Sequence, residues 1–102
     1  MNLTDIIAEL ETQWDIDGFL YELRTGRFDA ERGRKFMELL RSISVDDEES
    51  VPKRLLSLVW YLPSFLEWQK ARIGEMDASH CKDYAKFVTE VHNTLEDVLG
   101  VP

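Results

Sequence analysis

A single cysteine stands in this 102-residue chain, with three prolines, five glycines and two histidines. Alone, Cys81 cannot close an intramolecular disulfide, which argues against a small cross-linked secreted scaffold. The chain lacks C-x-x-C, H-E-x-x-H, G-x-S-x-G and a glycine-rich phosphate loop, so no familiar catalytic or zinc signature is present. No window approaches the roughly 18–20 apolar residues of a membrane span. No base precedes Arg24, and Asp5, Glu9 and Glu11 fall where a secretory leader is basic and then apolar. The expected setting is therefore the cytoplasm of a bacterium or similar cell, away from membranes.

What the chain has is acid and apolar side chains. With 44% hydrophobic residues it can build a core, and its length suits one domain over residues 1–102. The net charge is −8, with 13 acids and 6 bases in residues 1–50 against 7 and 6 in residues 51–102. Such a surface repels nucleic acid and attracts basic proteins.

Apolar spacing is helical throughout, and no segment alternates as a strand does. The expected fold is all-α, a bundle of four to six helices. Thr4 is a candidate N-cap for a helix carrying Ile6, Ile7, Leu10 and Trp14. Asp15 or Asp17 offers a cap for a short second helix through Phe19, Leu20 and Leu23, ended by Gly26; one bent helix over residues 4–25 is the alternative. Asp29 caps a third helix, whose apolar face is Phe36, Met37, Leu39, Leu40 and Ile43. Pro52 suits the first turn of the next segment. There Leu55, Val59, Leu62, Leu66 and Ile73 fall within about 40° of one line on a helical wheel. Leu56 and Trp60 widen that arc on one side, Leu58 and Phe65 on the other. Pro63 lacks an N–H and crowds the residue 59 carbonyl, so a kink or break is expected near Tyr61 and Leu62. Asp77 is a candidate cap for the last helix, whose Cys81, Tyr84, Val88, Val91, Leu95 and Val98 form an a/d stripe. The centre of the bundle is expected to be the apolar segment after Pro52, packed by the last helix and by Ile7, Leu10, Phe19, Leu23, Phe36 and Leu40.

Several groupings suggest chemistry and then fail. Asp15-Ile16-Asp17-Gly18 opens like a calcium loop, but position six is Leu20 and position twelve is Gly26, where a glycine and a glutamate are needed. Asp77 and His80 have the i, i+3 spacing of a di-metal ligand pair, but His92 has Thr89 three residues before it, so no second pair exists. His80 and Cys81 are adjacent and diverge by about 100° on a helix, which prevents a nucleophile–base pair. Cys81 reads as a small buried hydrophobe, and His92 as a boundary histidine. No catalytic residue, metal or cofactor is expected.

Two features read as contact surfaces. One is acidic: Asp15 and Asp17 in the opening segment, and Asp46, Asp47, Glu48 and Glu49 in the connection before Pro52. The other is aromatic: Tyr61 and Trp68 lie off the main apolar arc, among Lys53, Arg54, Ser57, Ser64 and Arg72. Exposed Trp and Tyr anchor many interfaces. The basic group Arg24, Arg27, Arg32, Arg34 and Lys35 is interrupted by Asp29 and Glu31, which does not suit nucleic acid.

The leading expectation is a non-enzymatic binding module for a protein with a basic surface. Its concrete form is an immunity or inhibitor protein that neutralises a nuclease-type toxin. The overall profile is similar to that of helical immunity proteins, although no motif matches residue by residue. The alternative is a structural or regulatory homo-oligomer, such as a homodimer, with the last-helix stripe or Tyr61 and Trp68 at a two-fold interface. A small ligand-binding or metal-dependent helical enzyme, with a polar pocket beside Pro63, is the third.

Overall fold

A helix start leaves backbone N–H groups without partners, and a side-chain oxygen just before it can take one. Asn2 does this for the first helix, accepting the Asp5 amide at 2.8 Å. Thr4, expected in that role, lies inside the helix. The computed structural model describes residues 2–45, 50–76 and 78–102. It contains α1 (Leu3–Trp14), α2 (Phe19–Leu23), α3 (Ala30–Arg41), α4 (Lys53–Val59), α5 (Leu62–Met76) and α6 (Cys81–Leu99). A 3-10 turn at Ala78–His80 precedes α6. Four of the helices have twelve residues or more, α2 and α4 are short, and no strand occurs among the described residues. The expected all-α bundle is what forms.

The break between α1 and α2 is a tight turn. Asp17 takes a left-handed φ of 67°, and the Gly18 amide donates to the Asp15 carbonyl at 2.9 Å. Neither aspartate caps α2, contrary to expectation. Gly18 holds the cap position, and the Gln13 side chain accepts the Phe19 amide at 3.3 Å. A Cβ at residue 18 would collide with the carbonyls of Thr12 and Gln13, so the turn can close this tightly only on glycine. The cap of α3 is the expected one, with Asp29 accepting the amides of Glu31 and Arg32.

Pro63 sits in the first turn of α5, where a missing N–H costs nothing. Pro52, expected inside α4, stands just before its first residue. The chain breaks at Trp60 and Tyr61, yet the helical phase carries across. Leu55, Val59, Leu62, Leu66 and Ile73 are all buried, as the wheel predicts. Leu58 and Phe65 are buried on one side of that line. On the other side Leu56 and Trp60 are exposed, which corrects their placement in the core. The physical reason is that α4 packs chiefly on α1 and α5, leaving its third side without a helix.

The core joins α1, α2 and α3 to α4, α5 and α6. Leu10, Phe19, Leu23, Phe36 and Leu40 are buried as expected, while Ile7 is only partly buried. The hub is α6 as much as α5, because α6 packs heavily on both α5 and α3. Its stripe is therefore consumed within the chain at Tyr84, Val88, Val91 and Leu95, with Phe87 and Thr94 buried beside it. Tyr84 donates its hydroxyl to the Leu66 carbonyl at 2.6 Å, tying α6 to α5. Cys81, expected at the head of that stripe, is exposed. It lies at the turn of the α5–α6 hairpin against Gly74, which has no side chain to cover it. Asp77, the expected cap of α6, lies outside the described residues; α6 follows His80, which makes no side-chain cap bond.

Candidate interaction surface

The α4–α5 elbow is where apolar surface meets solvent. Trp60 and Tyr61 are neighbours at the break, about 100° apart on the wheel whose phase the break preserves, and their ring centroids lie 5.6 Å apart. Tyr61 is partly buried. It stacks on Trp14 at 6.4 Å and meets Trp68 edge-on at 5.7 Å. Trp14 is fixed in turn by its indole N–H, which donates to the Leu58 carbonyl at 2.9 Å, and by its 4.9 Å edge contact with Phe65. Trp60 and Trp68 remain 65% and 67% exposed. Trp60 and Trp68 are the most exposed aromatic rings among the described residues, and Tyr61 lies between them.

The two flanks of the elbow differ in charge. Along α5, Trp68 is followed one turn later by Arg72, whose guanidinium donates to the Arg24 carbonyl, while the Arg24 guanidinium lies 5.3 Å from the Phe65 ring centroid. That flank is basic. The other flank is an open groove of about 280 Å³ between the elbow and the end of α6. Val59, Pro63, Leu95 and Leu99 form its apolar walls, Trp60 stands at its edge, and Glu96 is its only charged lining residue among the described residues. His92 also lines it; its Nε2 atom is buried and has no hydrogen-bond partner among the described residues. Among the described residues the groove holds one histidine and one carboxylate, and it lies open to solvent.

Of the acidic candidates, Asp15 and Asp17 are exposed in the α1–α2 turn. Asp15 directly follows Trp14, on which Tyr61 stacks, so the turn adjoins the aromatic cluster in the chain. Asp17 is tied to α3, its carbonyl accepting Arg32 at 2.9 Å. Asp46, Asp47, Glu48 and Glu49 lie outside the described residues. The basic group is largely neutralised internally. Arg32 and Arg27 stand 3.3 and 3.7 Å from Glu22, and Arg34 bridges Glu31 and Glu38. The bond from Arg34 holds the Glu31 carboxyl below its usual range. His80 is partly buried with its ring edge-on to Phe28 at 6.4 Å. Among the described residues no three His, Cys, Asp or Glu side chains converge to hold a metal ion, and no helix is long and apolar enough to cross a membrane.

Sequence reasoning found Tyr61 and Trp68 but missed Trp60, His92 and Glu96 as one site. The signal for Trp60 was present: at about 140° from Leu55 on the wheel it shares a sector with Glu67, at about 120°. For the groove there was no signal, since it joins residues 59–63 to residues 92–100 across the fold. Comparison with known proteins yields no matching family model, no matching curated protein and no matching solved structure.

Proposed function

We propose that this chain is a non-enzymatic protein-binding module whose partner presents a basic surface. In its most concrete form it is a bacterial immunity or inhibitor protein covering the positive active site of a nuclease-type toxin. One observation carries this reading: two tryptophans about two-thirds exposed at the elbow of a chain with net charge −8. Tryptophan is favoured at the centre of binding sites, where burying its large ring releases water. Negative charge around it speeds the approach of a basic protein and selects against acidic ones. Trp60 is the better-placed anchor, because its flank carries Glu96 whereas that of Trp68 carries Arg24 and Arg72.

The test begins with the tagged chain recovered from its native host at low salt. The expected result is a stoichiometric basic protein, released as salt rises, whose nuclease activity the purified chain suppresses. Trp60→Ala should weaken that complex at least about tenfold, as loss of an interface anchor does. Recovery of no basic partner, or of one indifferent to Trp60→Ala, counts against the proposal.

The same exposed rings favour one second reading, a homodimer through the elbow. The α6 stripe is largely buried within the chain, whereas the elbow rings are exposed and open to a second copy. Light scattering across a range of concentrations decides it, since a strict monomer removes the dimer.

A further inference from the structure

We infer that the groove between the elbow and the end of α6 receives an arginine side chain of the partner. Its aliphatic stem would lie on Val59, Pro63, Leu95 and Leu99, and its guanidinium on the Trp60 ring, paired with Glu96. This rests on the reading of the chain as a module for a basic partner, and it names the group by which that partner is held.

Two independent features point to a cation with this shape. The first is electrostatic. The last turn of α6 carries Glu96 and Asp97 and no base, so both carboxylates face the negative end of the helix dipole. Neither has an ion-pair partner among the described residues, and no Lys or Arg lines the groove. A cation placed there relieves repulsion that the chain does not relieve itself. The second is the exposed face of Trp60, since a guanidinium stacks on an indole as an ammonium cannot. Arginine presents five N–H donors in a flat fork, enough to pair with Glu96 while the plane lies on the indole. Lysine, a compact ammonium, matches the charge but not the plane.

The test uses the full chain, ¹⁵N-labelled, titrated with N-acetyl-arginine amide and, separately, with N-acetyl-lysine amide at constant ionic strength. The expected result is saturable NMR shifts at the Trp60 indole and at His92 and Glu96. Arginine should saturate them at a concentration about threefold or more below lysine, in keeping with its planar, bidentate pairing. Trp60→Ala should abolish these shifts and Glu96→Gln weaken them, while Trp68→Ala and Asp97→Asn preserve them. Glu96 is exposed, so Glu96→Gln keeps the test valid even if Trp60→Ala perturbs the fold.

Shifts that never saturate, equal response to lysine and arginine, or shifts centred on Trp68 overturn the inference. So do shifts that appear on raising protein concentration without ligand, which would assign the groove to a second copy. A basic partner whose binding ignores both Trp60→Ala and Glu96→Gln leaves the binding-module reading standing and removes this one. Specific arginine binding with no basic partner recovered does the reverse.

Discussion

Two clusters of aromatic rings lie in this chain and meet solvent in opposite ways. Phe19, Phe28, Phe36, Tyr84 and Phe87 stack among themselves at centroid distances of 5.2–6.3 Å, and all five are buried. Trp14, Trp60, Tyr61, Phe65 and Trp68 form a similar chain of contacts, but only Phe65 is buried. Two physical differences separate them. The first cluster is mostly phenylalanine, which brings no polar atom, and α2, α3 and α6 close over it. Its one hydroxyl, on Tyr84, finds the Leu66 carbonyl. In the second, the Trp14 indole has an acceptor in the chain, whereas Trp60 and Trp68 stand outside, where water serves the N–H. A ring is thus drawn inward where helices close over it and any polar atom it carries finds a partner in the chain; Trp60 and Trp68 stay at the surface, free for another molecule.

The largest effect should come from the buried cluster. Phe87 touches the rings of Phe19, Phe28, Phe36 and Tyr84. Phe87→Ala removes them all and leaves a cavity, at an expected loss of about 3–5 kcal/mol of unfolding free energy in urea. A loss below about 1 kcal/mol would break the contrast, because the two clusters would then be equally dispensable.

Tyr84→Phe should have the next effect, about 1 kcal/mol, from loss of the bond to Leu66. The same residue gives a pH signature. Burial, with a smaller contribution from the Glu67 charge, raises the Tyr84 hydroxyl well above its ordinary value. The folded state therefore favours the protonated phenol. That preference is fully effective below about pH 10 and is lost as alkali approaches the raised value. Unfolding monitored between about pH 9 and 12 should show stability falling steeply. Tyr84→Phe should flatten this fall, and an unchanged slope would show that the decline has another origin.

How much of this was readable beforehand depends on distance along the chain. The helices, the Asp29 cap, the break at Pro63 and the buried line from Leu55 to Ile73 all follow from local spacing and backbone chemistry. Trp68 also keeps the outward position its wheel angle assigns, because the break at Trp60 and Tyr61 preserves phase. Cys81 and Leu56 were misplaced for another reason. Each satisfies the apolar period, but periodicity does not reveal where a helix runs out of neighbours. Phe87 lies outside the a/d stripe, yet it is three residues from Tyr84 and four from Val91, close enough on α6 to share their buried face. The groove at Glu96 and the Trp14 bond to Leu58 are contacts between distant segments and left no trace in local pattern.

Trp14→Phe tests whether the second cluster is held by its internal bond or merely by contact. The indole N–H reaches Leu58 near the end of α4, where the helix is about to break and the carbonyls have few helical donors left. Phenylalanine keeps a ring against Tyr61 and Phe65 but donates nothing, so about 1 kcal/mol should be lost. Trp60→Ala and Trp68→Ala should by contrast stay within about 0.5 kcal/mol of the parent, as exposed positions do. Urea melts of the three variants make the comparison. If Trp60→Ala costs as much as Trp14→Phe, the elbow rings are part of the chain's own stability, and their exposure no longer argues for a partner.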